Sequence, residues 1–238
     1  MPTLFVSDLH LSPERPDITA RFRTLLEGEA HKAEALYILG DLFEFWAGDD
    51  AASADDLETL DALGALRASG IPVYFMAGNR DFLITPAVLQ RYGIKTLLDP
   101  TVVDLYGTRV VLLHGDSLCT DDVAYQRFRR VVHQRWLQRL FLRLPAKMRK
   151  DTVAKIRRRT AQSVAQKPMA IMDVNDDAVR ACFRRFGVNT MIHGHTHRPA
   201  IHTLDMDRQA CRRIVLGDWF QQASVLRYDE TGGHLETR

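Results

Sequence analysis

At 238 residues with 46% apolar side chains, the chain is long enough for one large folded domain with a sizeable core. The opening apolar run, Leu4 to Val6, stops at Asp8, which excludes a signal peptide or membrane span there and makes a cytosolic address the expectation. Cys119, Cys182 and Cys211 are odd in number and far apart, which excludes a disulfide framework and a cysteine metal site and suits a reducing compartment. The net charge of +2 hides an uneven distribution. Residues 121–167 hold fourteen Lys and Arg against three Asp and Glu, whereas the remainder holds eighteen against twenty-seven. A basic block of this kind attracts phosphates, nucleic acid or an anionic membrane surface, while the acidic remainder suits cations.

In chain order, short β-branched or apolar runs at Thr3 to Val6, Ala35 to Leu39, Val73 to Ala77, Val110 to Leu113 and Thr190 to Ile192 predict buried strands. Helical spacing over Ile18 to Leu26, Leu57 to Leu66 and Ala178 to Phe186 places helices between them, so the fold expected is layered α/β. Residues Asp121 to about Lys167 break the alternation. They carry no strand pattern, and Tyr125, Phe128, Val132, Trp136, Leu140 and Phe141 recur at helical steps. Two helices divided near Leu144-Pro145 are predicted, as an insertion in a single domain spanning 1–238. The tail, with Arg213 to Leu216, Ser224 to Tyr228 and a closing Gly232-Gly233, predicts further strands and turns, hence a mixed β-sheet.

Five clusters directly follow predicted strands: Asp8-Leu9-His10, Gly40-Asp41, Gly78-Asn79-Arg80-Asp81, His114-Gly115-Asp116 and Gly194-His195-Thr196-His197. Binding groups in α/β folds gather where strands end at their carboxyl edge, so these loops are expected to converge. Any one cluster alone would read as a strand-end cap or turn; five in order, each after a strand, make a specific pattern. Carboxylates, imidazoles and one amide without a thiolate suit Mn²⁺, Fe²⁺ or Zn²⁺. Seven ligands exceed one ion but match two, sharing a carboxylate and a hydroxide, as in-line displacement at phosphorus requires. Asp8 and His10, two apart on an emerging strand, are expected to point to one side, as are His195 and His197. Gly40, Gly78, Gly115 and Gly194 would allow tight turns and close approach of the main chain to metal or phosphate. Glu44, Asp49 and Asp50 are candidates for orienting ligands, and Asp81 and Asp116 for anchoring turns or histidines; Trp46 and Trp219 are expected in the core.

On these motifs the sequence resembles the calcineurin-like metallophosphoesterase superfamily. The resemblance implies that Asp8, His10 and His197 bind one metal, that Asn79, His114 and His195 bind the other, and that Asp41 bridges them. Arg80 stands where many members carry His. Arginine stays protonated, which makes it a poor general acid but a strong bidentate partner for phosphate oxygens. A leaving alkoxide needs a proton and a leaving phosphate does not, so cleavage of a pyrophosphate bond is favoured.

The longer runs Ser7 to Leu11, Leu39 to Glu44, Gly78 to Leu83, His114 to Asp122, His193 to Pro199 and Val215 to Trp219, with the basic insertion, are similar to the UDP-2,3-diacylglucosamine hydrolase family of lipid A synthesis. That resemblance implies hydrolysis at the pyrophosphate to UMP and 2,3-diacylglucosamine 1-phosphate, with two Mn²⁺ ions as cofactors and a helical cap over the sugar phosphate. It carries substrate contacts to Asn79, Arg80, Asp122, Thr160, Lys167 and His195, and leaves Val164 where a polar contact is expected. The catalytic set is then Asp41, Arg80 and His195. Tyr125, Phe128, Trp136 and Phe141 among the arginines would suit a diacyl diphosphate substrate, about half of them serving instead to pack the helices. The expectation is a monomer bound peripherally to the anionic cytoplasmic face of the inner membrane, with no nucleic acid partner. A nuclease or dinucleoside polyphosphate hydrolase, and a non-catalytic scaffold of the same fold, are the rival readings.

Overall fold

The computed structural model describes residues 1–166, 173–206 and 208–237. Strands β1 (Thr3–Val6), β2 (Ala35–Leu39) and β3 (Val73–Met76) carry almost wholly buried apolar side chains on both faces, the pattern of parallel strands covered on both sides. Helices α1 (Pro16–Glu27), α2 (Ala54–Ala68) and α3 (Pro86–Arg91) connect these strands and a short β4 (Lys95–Leu97). Local chemistry sets their starts. Proline opens α1 and α3, where its missing N–H costs nothing. Ser53 and Asp56 form a reciprocal capping box on α2.

The chain then builds a second sheet from β5 (Thr101–Leu105), β6 (Thr108–Leu113), β7 (Thr190–His193), β8 (Ala200–Met206) and β9 (Gln209–Val215), and returns to the first with β10 (Ser224–Asp229) and β11 (Gly232–Thr237). The orders are β11-β10-β1-β2-β3-β4 and β5-β6-β7-β9-β8. In the first sheet β1 to β4 run parallel, β10 lies antiparallel to β1 and β11 antiparallel to β10; in the second β6, β7 and β9 run parallel between antiparallel β5 and β8. The expected mixed sheet is therefore a pair of mixed sheets. Phe5, Leu39 and Met76 of one meet Leu112, Ile192 and Ile214 of the other in a shared core. Helices α1 to α3 cover the outer face of the first sheet, and α7 (Asp176–Phe186) that of the second.

Between a short turn after β6 (Asp116–Leu118) and the start of α7 lies the insertion, which among the described residues has three helices where two are expected: α4 (Val123–Val132), α5 (Arg135–Leu142) and α6 (Ala146–Gln166). The break near Leu144-Pro145 is present, and a second falls at His133-Gln134. There Gln134 is extended, the Gln138 side chain donates to the freed Val132 carbonyl at 3.0 Å, and the His133 ring stacks on Phe82 at 4.9 Å. The broken backbone is thus satisfied locally and the corner is held to the body. No helix among the described residues is long and apolar enough to cross a membrane. The three cysteines are free.

Candidate metal centre

All five clusters leave the carboxyl ends of strands, three in the first sheet and two in the second. Register pairs Val6 with Ile38, Leu39 with Met76 and Leu113 with His193, so the loops begin level with one another. Hydrogen bonds then tie loop to loop: Asp8 N donates to Gly40 O (3.1 Å), His10 N to Asp41 O (3.0 Å) and Gly194 N to His114 O (2.8 Å). The two sheets are joined here by His195 N donating to Asp8 Oδ2 at 2.8 Å and by His114 Nδ1 meeting Leu39 O at 3.0 Å.

The expectation that Asp8 and His10 share a direction through strand alternation is corrected. Strand β1 has ended by Asp8, and Asp8, His10, Asp41, His195 and His197 all adopt left-handed backbone, with φ between 51° and 70°. Single left-handed residues after a strand turn the side chain back over the sheet edge. Each such non-glycine residue costs about 1–3 kcal/mol, a strain that persists only where the surroundings over-determine it and that clusters at functional sites. The glycines serve the same end. A Cβ at Gly78 would collide with the Asp41 carboxylate, and one at Gly194 with the Asp8 carboxylate. Their close approach is to ligand carboxylates.

Two groups of ligand atoms result, Asp8 with His10 and His197, and Asp41 with His114 and His195. The Asp41 carboxylate spans them: Oδ2 lies 3.8 Å from His10 Nε2 and Oδ1 lies 3.7 Å from His114 Nε2. Asn79 Oδ1 faces His114 Nε2 at 2.9 Å. The donor set fits cations. His10 Nε2 and His197 Nε2 stand 3.4 Å apart, and Asp8 Oδ1, also 3.4 Å from His197 Nε2, is buried without a hydrogen-bond partner among the described residues. An orphaned carboxylate oxygen beside two converging imidazoles is a costly arrangement unless positive charge sits among them.

Protonation tells the same story. Burial would lower the His197 pKa, but Asp218 and Asp8 raise it to about 10. Burial likewise opposes protonation of His114, yet Asp41, Asp8 and Asp116 lift it to about 9. His195, buried and next to His114, falls to about 4 and offers a neutral ring. Burial would raise the Asp8 carboxyl, but His197, His114 and His10 hold it well below the usual range. Carboxylates that pull protons onto neighbouring ligands will exchange those protons for metal.

The ligands are themselves oriented. His10 Nδ1 lies 2.9 Å from Glu44 Oε2 and His197 Nδ1 lies 3.2 Å from Asp218 Oδ2. Glu44 is among the residues expected to orient ligands; Asp218 is not, because no spacing rule connects it to His197 and the two meet only through the fold. Asp81 accepts from Gly78 N and Leu42 N, each at 2.8 Å, and so pins the second and third loops; burial and the nearby Asp41 raise its pKa to about 7. Asp116 accepts from Tyr125 Oη at 2.5 Å and Arg129 Nε at 2.7 Å, which fastens α4 to the fourth loop. Asp49 accepts from Trp46 Nε1 and Thr85 N and braces the body, while Asp50 pairs with Arg149 and ties body to cap. Trp46 and Trp219 are core residues.

The substrate contacts named from the sequence separate into groups. Asn79 and His195 are at the metal groups. The Arg80 backbone N donates to Asp41 Oδ1 at 2.9 Å, and its side-chain Nε is buried with no hydrogen-bond partner among the described residues. Asp122 caps α4 by accepting from Tyr125 N at 3.0 Å. Thr160 is exposed on α6, one turn after Arg157, which pairs with Glu44; that pairing hangs the cap over the first metal group. Lys167 lies outside the described residues, as does the side chain of Val164. Of the four cap aromatics, Tyr125 and Phe141 are half-buried while Phe128 and Trp136 are exposed.

The sequence profile of the calcineurin-like phosphoesterases matches residues 1–199, and that span includes every one of the ligand loops. The chain belongs to the calcineurin-like phosphoesterase family. Within it, the chain is similar over its whole length to named relatives. It is 50% identical over 238 residues to the UDP-2,3-diacylglucosamine hydrolase of Aeromonas salmonicida, covering 100% of this chain and 94% of the relative. It is likewise 50% identical over 238 residues to that of Vibrio vulnificus, covering 100% and 98%. In this phosphoesterase the two ligand groups around Asp41 are two candidate metal sites.

Proposed function

We propose that this calcineurin-like phosphoesterase hydrolyses the pyrophosphate bond of UDP-2,3-diacylglucosamine to UMP and 2,3-diacylglucosamine 1-phosphate. The observation that carries the reading is the Asp41 carboxylate between two ligand groups beneath a basic, apolar cap, in a chain 50% identical end to end to hydrolases so named. Asp8, His10, Asp41 and His197 would hold one divalent cation and Asp41, Asn79, His114 and His195 the other, with Mn²⁺ as the ion proposed. Such a pair neutralises phosphate oxygens and supplies an activated water at neutral pH.

The chain's own part is positioning and charge. Arg80 donates to phosphate oxygens and holds its proton, which suits departure of a phosphate. His195, neutral and fixed by the backbone bond to Asp8, lines the same space. Asp122, Thr160 and Lys167 would contact the sugar phosphate from the cap. Water attacks the uridylyl phosphorus, so reaction in ¹⁸O-water should label UMP and leave the lipid phosphate unlabelled. Replacing Arg80 with Ala should spare metal content and lower kcat by about 10²–10³, as removal of a preorganised charge donor does. The manganese-loaded protein should release UMP from UDP-2,3-diacylglucosamine and leave dinucleoside polyphosphates and single-stranded DNA intact. Release of mononucleotides from DNA with the lipid substrate untouched would reverse the assignment.

A further inference from the structure

Beside the metal loops lies a second concavity of about 200 Å³, lined by Asp173, Thr196, Arg198, His202, Arg213 and Val215 among others. Its floor is the outer face of the second sheet. Register places Arg213 opposite His202 and Val215 opposite Ala200, and opposite Met191 and His193 of β7 on the other side. Elsewhere that face is apolar, with Met191 and Cys211 packed under α7. Arg213 interrupts it.

Only 9% of Arg213 is exposed, and arginine is rarely buried without a carboxylate. Among the described residues its guanidinium makes no ion pair and one hydrogen bond, 3.3 Å from Nη1 to His193 Nε2. His193 places its Nδ1 2.8 Å from the Gly194 carbonyl, an acceptor that requires the proton on Nδ1, so Nε2 accepts from Arg213. The other guanidinium N–H groups are left for the cavity. A second group is in the same position: Thr196 Oγ1 is buried with no partner among the described residues. Thr196 sits between His195 and His197, one from each metal group. Arg198 and Asp173, paired at 2.5 Å, complete the wall. Burying a guanidinium with one hydrogen bond and no ion pair, beside a hydroxyl with no partner among the described residues, works against stability, and it becomes sensible if a ligand supplies further acceptors.

The wall offers donors on Arg213 and Arg198 with an acceptor, Asp173, among them. We infer that this cavity receives the uracil of the nucleotide half, whose imide edge presents two carbonyl acceptors suited to the arginines and one N–H donor suited to the Asp173 carboxylate. The inference rests on the proposed function for the identity of the nucleotide. It divides the substrate across the metal pair: the lipid half under the cap, the base beside the Gly194 to His197 loop. A cytosine edge carries an amino donor where uracil has the O4 acceptor and a bare N3 acceptor where uracil has its N–H, so it would face one arginine with an N–H and Asp173 with a lone pair. Sites built to hydrogen-bond a polar edge discriminate strongly against an analogue that leaves buried groups unpaired.

The test is equilibrium binding of UMP, CMP and ribose 5-phosphate to the manganese-loaded full-length protein, followed by calorimetry and without turnover. UMP should bind at least about tenfold more tightly than CMP, the scale of one mispaired buried hydrogen bond. Arg213→Met should remove that preference while leaving the affinity for 2,3-diacylglucosamine 1-phosphate where it was. Asp173→Asn, a change at a half-exposed side chain, should narrow the gap between UMP and CMP and guards against a variant that fails to fold. Equal affinity for all three phosphates in the unaltered protein, or an unchanged preference in both variants, overturns the inference. Failure to hydrolyse the lipid nucleotide would overturn the proposed function instead, and the two failures are read in separate measurements.

Discussion

At the scale of single residues, the proposed metal groups depend on carboxylates that are not among the proposed ligands. Asp218 and Glu44 hold the outer ring nitrogens of His197 and His10, fixing each ring's direction and tautomer. Asp218→Ala should therefore weaken manganese affinity about 10–100-fold while every direct ligand stays in place; metal titration followed by elemental analysis checks this, and unchanged affinity would mean that the strained loop alone orients His197. Protonation gives a second expectation. In metal-stripped protein, His114 and His197 have pKa values of about 9 and about 10, raised above the ordinary 6.5 by buried carboxylates. A raised folded-state value contributes stability that is complete below about 6.5 and is lost as pH climbs toward 9 to 10. Stripped protein should accordingly melt at lower temperature as pH rises through that window, while loaded protein, whose ligands already lack those protons, should not; parallel thermal scans with chelator and with manganese decide it. Asp8, His10, Asp41, Asn79, His114, His195 and His197 could be read from the sequence because each follows a strand directly and strand ends converge. Asp218 could not, since its partner lies twenty-one positions away in another loop. The left-handed backbone was equally hidden, because aspartate and histidine tolerate it without announcing it as glycine does.

At the scale of elements, the cap is held by a few polar ties. Arg149 on α6 is only 1% exposed; its Nη1 donates to Ala47 O at 2.7 Å and its Nε to Leu144 O at 2.9 Å, and it pairs with Asp50. Gly48, with φ of 114°, leaves room for that guanidinium, since a Cβ there would strike it. Arg149→Met keeps the side-chain length but leaves two carbonyls unpaired, at about 1–3 kcal/mol each. Amides of α5 and the first turns of α6 should then exchange faster in hydrogen–deuterium exchange while those of β1 to β3 keep their protection. Uniform acceleration would show that cap and body unfold as one unit. The parallel strands and α1, α2 and α7 are legible from sequence because complete burial and helical amphipathicity write themselves into composition. Strands β4, β5, β8 and β11 are not: their residues are mostly half-buried or exposed, so neither an apolar run nor clean alternation marks them. The break at His133-Gln134 escapes for a different reason, having neither proline nor glycine; it is fixed by Gln138 and by His133 against Phe82, contacts that exist only after folding.

For the molecule as a whole, the question is how the proposed diacyl substrate would reach a site at the ends of the strands. The exposed large apolar residues concentrate on the cap: Trp136 is 66% exposed and Leu140 54%, both on α5 and flanked by Arg135 and Arg139. A surface of this kind, apolar residues interleaved with arginines on a short amphipathic helix, suits the boundary between headgroups and acyl chains. We propose peripheral docking through α5, which would present the metal loops to the membrane and let the substrate be drawn up beneath the cap. Two contributions are separable. Each arginine near an anionic surface contributes about 1 kcal/mol and is screened by salt, whereas Trp136 inserts by burying apolar area and is not. Sedimentation with vesicles containing anionic lipid should thus be strong at low salt and weaker at high salt. Trp136→Ser should lower the fraction that remains bound at high salt, and replacing Arg135 and Arg139 with Gln should flatten the salt dependence. Sedimentation that is indifferent to anionic lipid, to salt and to both sets of substitutions would leave the cap as a substrate clamp only, its apolar face reserved for acyl chains delivered from solution.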